Sequence, residues 1–129
     1  MTFPPLPPIT NRSLYNVVTS HSSLYQYQKS SMELNPTRMI EDYEKLEHVG
    51  DALLGAMVAI LLHDLFPFLG EGPATTLKAS LVSNATLARI SDAYKIAEKL
   101  QAHPATIRQT RAQVKTRSSM FEAWIAGVF

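Results

Sequence analysis

Tyr43-Glu44-Lys45-Leu46-Glu47-His48-Val49-Gly50-Asp51-Ala52-Leu53-Leu54-Gly55 places two carboxylates, Glu47 and Asp51, four residues apart in a run that is otherwise helical and apolar. Residues i and i+4 lie on one helix face. Two carboxylates held there repel each other unless a cation or a shared proton neutralises them. A hard, oxygen-binding metal is the natural candidate. Far along the chain Glu122 stands in Met120-Phe121-Glu122-Ala123-Trp124-Ile125-Ala126-Gly127-Val128-Phe129, a second apolar helical stretch able to bring a further carboxylate to the same point.

Outward from the acidic pair, Ile40, Tyr43, Leu46, Val49, Leu53, Met57, Ile60 and Leu61 follow helical steps of three and four, which predicts one long helix over about 38–65. Its second half, 52–65, is apolar on nearly every side and reads as the buried central helix. Pro67 and the Gly70-Glu71-Gly72-Pro73 cluster end it. Leu77, Leu81, Val82, Leu87, Ala88 and Ile90 predict a second long helix over 74–94, with Asn84 as an unexpected polar residue inside it. A shorter helix is expected over 95–102, broken by His103-Pro104. Residues 105–113 read as a basic helix or loop, and 116–129 as an apolar helix left unfinished at the chain end. Before all of these, Pro4, Pro5, Pro7 and Pro8 predict an extended entry over 1–10. A short helix follows it, capped by Asn11, with Leu14, Val17 and Val18 inward. Residues 24–37 read as irregular. No segment alternates with period two, so the fold class expected is all-α.

At 129 residues without cysteine the chain is a single domain able to bury a core unaided. The Pro-rich start lacks a basic-then-apolar leader, which points to an intracellular setting, cytoplasm or nucleus. The apolar run Ala52 to Leu62 is too short to cross a bilayer, so no membrane partner is expected. The net charge of +1 predicts no strong affinity for nucleic acid by itself. The average conceals an asymmetry, however. Lys99, Arg108, Arg111, Lys115 and Arg117 share a stretch free of acids, whereas 33–51 holds Glu33, Glu41, Asp42, Glu44, Glu47 and Asp51. A metal-holding acidic helix beside a basic segment suits action on a polyanion. Two solvated helix faces would give the same pattern.

The segment Glu44-Lys45-Leu46-Glu47-His48-Val49-Gly50-Asp51-Ala52-Leu53-Leu54 resembles the signature helix of the ribonuclease III catalytic domain, E-x-L-E-F-L-G-D-A-x-L, with the Phe position substituted. Further blocks in that family's order are Leu6-Pro7-Pro8-Ile9 with Val18-Thr19-Ser20-His21-Ser22-Ser23, Glu71-Gly72 with Leu77 to Ile90, and Phe121-Glu122-Ala123. The Pro-rich entry and Lys115 resemble the eukaryotic, particularly fungal, branch. The resemblance implies a ribonuclease III-type helical domain over 11–129, with a truncated C-terminal helix and a long central signature helix. A Pro-rich N-terminal extension, 1–10, precedes it.

The resemblance also implies Mg²⁺-dependent hydrolysis of RNA phosphodiesters, with Mn²⁺ able to substitute. Glu47, Asp51 and Glu122 would be metal ligands and Lys115 a cation facing the phosphate. Such enzymes work as dimers that accept duplex RNA, so a homodimer is expected. Two positions depart from the family. Ser119 stands where the pattern D-x-x-E has a metal-binding Asp. Its hydroxyl can hold a water on the metal, ligate Mg²⁺ weakly, or simply cap a helix. His48 replaces an aromatic residue that inserts into the partner subunit, so the dimer interface is expected to be altered there. The chain is thus read as an endoribonuclease with an atypical site and an altered preference between double- and single-stranded RNA. It would act in RNA processing, silencing or degradation. The rival reading is a pseudo-nuclease that binds RNA or a related subunit without chemistry.

Overall fold

The computed structural model describes residues 3–24 and 42–129. Among these are six α-helices: α1 (Arg12–Val18), α2 (Glu44–Leu65), α3 (Glu71–Leu81), α4 (Asn84–Ala93), α5 (Ile107–Ala112) and α6 (Val114–Val128), with a 3-10 turn at Ile96–Lys99. Among the described residues the sole extended pairing is an isolated bridge between Ser20 and Gln101, so the all-α expectation is met. The expected irregular stretch 24–37, and the first residues of the long helix predicted from 38, fall almost wholly outside the described residues.

The element at the centre is α6. Met120 and Ala123 are wholly buried and Trp124 nearly so, and α6 packs chiefly on α2 and α4. This corrects the expectation that the second half of the signature helix is the buried centre. In α2 only one stripe turns inward: Leu46, Gly50, Leu54, Val58 and Leu62, at steps of four, are buried or half-buried. The opposite face is as apolar but lies open, with Met57 45%, Ile60 61% and Leu61 53% exposed. Apolarity on all sides signals two faces to be covered, and the described residues cover one of them. Over its 22 residues α2 is also long and apolar enough to cross a membrane, by length and composition only.

Local chemistry accounts for the other boundaries. The Asn11 side chain accepts from Leu14 N (3.1 Å) and starts α1 as predicted. Asp42 accepts from Glu44 N (2.9 Å) at the head of α2, where Glu44 and Glu47 favour the positive end of the helix dipole. The single helix expected over 74–94 is instead two. Ser83 adopts an extended conformation, and its Oγ accepts from Thr86 N, capping a new helix at Asn84. Continuous apolar spacing across 77–90 concealed that cap. The helix expected over 95–102 contracts to the 3-10 turn.

Residues 3–10 lie across the end of the bundle. Trp124 Nε1 donates to the carbonyl of Pro7 (2.8 Å) and Tyr94 Oη to that of Pro4 (2.6 Å). Ile9 is buried against Gly127, where a Cβ would stand 2.8 Å from Ile9 Cδ1.

The tightest contact in the fold joins α2 to α6. A Cβ built on Gly50 would lie 1.7 Å from the backbone oxygen of Glu122. Nothing larger than hydrogen fits there, and the obstacle is backbone, which cannot swing aside. Replacing a helical glycine by alanine ordinarily stabilises by up to ~1 kcal/mol. Gly50→Ala is therefore expected to reverse that sign, costing ~3 kcal/mol or more. Gly55→Ala, whose methyl would meet only the Lys78 side-chain tip at 3.5 Å, should be neutral or mildly stabilising. Urea denaturation of the two variants checks the contrast.

Candidate functional site

The Gly50 contact sets the acids. Glu47 and Asp51 flank it on α2, one turn before and one residue after. Facing them on α6 stand Ser119 and Glu122, three residues apart and therefore on one helix face. Glu122 is 5% exposed and Ser119 1%. Glu47 is mostly covered, with 18% of its side chain accessible, and Asp51 is open to solvent.

Two donors converge on a single oxygen. Lys115 Nζ reaches Glu47 Oε1 at 2.7 Å and Ser119 Oγ donates to the same Oε1 at 2.8 Å. Lys115 is held more firmly protonated than an ordinary lysine, first by that hydrogen bond and then by the charges of Glu47, Glu122 and Asp51. Glu122 shows the opposite stress on an acid. Its carboxyl is pushed up to about 7 by burial foremost, then by the negative charges of Asp51 and Glu47, with Lys115 and a hydrogen bond from Ser118 pulling the other way. The three carboxylates thus share one electrostatic environment.

All donors at the site are hard oxygens, and the one cation present, the Lys115 ammonium, already sits on Glu47 as a stand-in for positive charge. Donor chemistry and charge therefore fit a divalent ion such as Mg²⁺. Among the described residues, however, no three His, Cys, Asp or Glu side chains are gathered closely enough to enclose an ion as they stand.

Of the sequence-predicted site residues, Glu47, Asp51, Glu122, Lys115 and Ser119 all come together here. Ser119 lies well inside α6 and caps no helix; its hydroxyl serves Glu47. Asn84, at the first turn of α4, accepts from the Ser118 hydroxyl (2.9 Å), and Ser118 also reaches Glu122. Sequence reasoning passed over Ser118, although its place one turn before Glu122 is the signal that could have found it. His48 is exposed on the outer side of α2. His21 pairs with Ser23 (2.8 Å) and tilts against Tyr43, a structural arrangement. Glu44 is exposed in the first turn of α2. The basic segment is less free than its composition suggests: Arg117 pairs with Asp92, and Arg111 donates to the carbonyl of Leu100 (2.7 Å). A cleft of about 340 Å³ between α2 and α3, lined by Leu62, His63, Phe66 and Lys78 among others, lies away from the acids.

Comparison with known proteins adds to this geometry. Residues 44–129 match the family described as Ribonuclease III domain. A "Ribonuclease 3" from Blochmanniella pennsylvanica is 32% identical over 87 residues, covering 67% of this chain and 38% of that protein. The "Double-strand-specific pac1 ribonuclease" of Schizosaccharomyces pombe is 27% identical over 127 residues, covering 97% of this chain and 35% of that one. The chain thus spans little more than a third of the length of these relatives. Among solved structures, the nuclease domain of ribonuclease III from Campylobacter jejuni superposes with a TM-score of 0.76 at 22% identity, covering 92% of this chain and 75% of that one. That structure is described as flexible in a region involved in dimer formation.

Glu122 makes stability depend on pH. Because its folded value, about 7, lies above the ordinary 4.5, the fold favours the protonated form. Its contribution is complete below about 4.5 and is lost as pH rises through about 7. Glu122→Gln removes this dependence. In chelator, the melting temperature of the wild type should match that of Glu122→Gln near pH 5 and fall ~3 °C or more below it at pH 8.

Proposed function

Because the chain belongs to the ribonuclease III family, we propose that it is a divalent-metal-dependent endoribonuclease domain with an atypical site. The observation that carries this reading is the meeting of Glu47, Asp51 and Glu122 across the α2/α6 contact, where burial and mutual repulsion leave Glu122 short of positive charge. Glu47, Asp51 and Glu122 would hold Mg²⁺, with Mn²⁺ able to substitute. When bound, the ion eases hydroxide formation from water and neutralises phosphate oxygens. Lys115, 66% exposed along its side chain, presents an ammonium toward a phosphate outside the site. Ser119 orients Glu47 but adds no negative charge. With one carboxylate fewer than the family pattern, the usual preference for duplex over single-stranded RNA is altered. The setting that follows is intracellular RNA processing, silencing or degradation.

A second copy of the chain is the partner we assign to the open face of α2. Met57, Ile60, Leu61 and Leu65 are exposed there and Phe68 is fully exposed beyond the helix end, more apolar surface than an isolated domain usually leaves uncovered. His48 is also exposed on α2, but nine residues before Met57 and so on another side of the helix. One observation favours a second functional reading, a pseudo-nuclease that binds RNA or a related subunit. Lys115 and Ser119 both occupy Glu47 Oε1, an oxygen that a metal would need.

Cleavage of labelled single- and double-stranded RNA with and without Mg²⁺ decides between the two. The wild type should cut only with metal, and Glu47→Ala should lower the rate at least ~10-fold. Metal-independent or unchanged cleavage refutes the site, and no cleavage with retained, salt-sensitive RNA binding establishes the pseudo-nuclease. For assembly, light scattering at tens of micromolar should give a dimer, and Ile60→Glu a monomer.

A further inference from the structure

Residues 3–10, Phe3-Pro4-Pro5-Leu6-Pro7-Pro8-Ile9-Thr10, hold four prolines, and each residue that precedes one is confined to an extended conformation. Such a segment is a polyproline II helix, with three residues per turn and so three edges. The bundle grips one of these edges. Phe3 leans on Tyr94, with ring centroids 5.8 Å apart, Leu6 is half-buried against the core and Ile9 is buried. Those residues stand at steps of three. The two carbonyls held by aromatic donors, that of Pro4 by Tyr94 Oη at 2.6 Å and that of Pro7 by Trp124 Nε1 at 2.8 Å, are likewise one turn apart. The other two edges carry Pro4 with Pro7 and Pro5 with Pro8, and all four prolines are exposed. The residues between the prolines make the attachment, together with two carbonyls.

We propose that this proline ridge is a docking surface for a polyproline-reading module of another protein, with an aromatic-lined groove of the WW type. A groove approaches such a helix from one side, so it contacts two edges and leaves the third pointing away. Here the third is the edge that the bundle already holds. No residue from 3 to 11 is charged, so recognition falls to rings and carbonyls, which suits an aromatic groove better than one built around an acidic pocket. Folding has also ordered the ligand in advance. Two hydrogen bonds and the seat of Ile9 against Gly127 fix the ridge before a partner arrives. Tyr94, Trp124 and Gly127, which hold it, belong to none of the acidic site, so the proposal is independent of metal and of RNA.

Calorimetry tests this with a purified WW module chosen for its affinity for a free oligoproline peptide. The module is titrated into the whole chain and into a synthetic peptide of residues 3–11. The chain should bind at least ~5-fold more tightly than the peptide, the gain from a ridge that is already ordered. Pro5→Ala combined with Pro8→Ala should weaken binding at least ~10-fold, with the helical circular-dichroism signal kept, since both side chains are exposed. Three results each overturn the proposal: no binding at concentrations that saturate the oligoproline peptide, affinity no greater than that of the free 3–11 peptide, or wild-type affinity in the folded double variant. The prolines then serve only to stiffen the chain entry. Should the double variant fail to fold, Tyr94→Phe decides. It releases the Pro4 carbonyl and keeps the ring, so the loosened ridge should bind ~3-fold more weakly, and unchanged or tighter binding overturns the proposal.

Discussion

The site and the core hang on one close approach, that of Gly50 on α2 to the backbone carbonyl of Glu122 on α6. The missing side chain lets two helices meet backbone to backbone, nearer than packed side chains would allow. At that separation Glu47 and Asp51, on either side of Gly50, stand against Ser119 and Glu122. The same approach buries Glu122. Burial is the largest cause of its raised carboxyl value, and the α2 acids supply the next two. Geometry, burial and electrostatics at the site therefore share a single origin, and widening the contact by one methyl would disturb all three.

Most of the helical framework can be read from spacing, because amphipathic periodicity and caps are local signals. Asn11 and the break after Leu65 are legible for that reason. The Ser83 cap is also a local signal, but it lies within a continuous run of apolar steps and is easily overridden when the run is read as one helix. Which helix lies at the centre is not a local property. α2 and α6 are both apolar, and only the three-dimensional arrangement shows that α6 is enclosed while α2 turns half its apolar surface outward. Pattern alone cannot separate a helix buried by its own chain from one whose second face remains for something else to cover.

At the site the legible part is the set of carboxylates, since Glu47 and Asp51 share a helical face and Glu122 lies in a stretch with a matching apolar context. Their common destination follows from the family pattern more than from spacing, because nothing local brings residue 122 to residue 47. The hydroxyls were harder to read. Ser119 could equally cap a helix or face an ion, and its role as a donor to Glu47 depends on a side-chain direction that a sequence does not encode. Ser118, beside it, carried no motif at all, yet it links Asn84 to Glu122 across two helices.

Were an acid to stand at position 119, as in the family pattern behind the proposal, two opposed things would change. A fourth acid at a position 1% exposed would add a buried negative charge to three that already repel, and the protein without metal would be less stable for it. The serine avoids that repulsion and supplies a proton donor, so that Lys115 and Ser119 both bond Glu47 Oε1. An ion bound as proposed would compete with an ammonium and a hydroxyl for Glu47, whereas a four-carboxylate site would be driven toward metal by its own repulsion. On that proposal, stability without metal and affinity for metal are traded against each other at one residue. Glu122, which has no such pair of donors, is the carboxylate on which the remaining demand for positive charge falls.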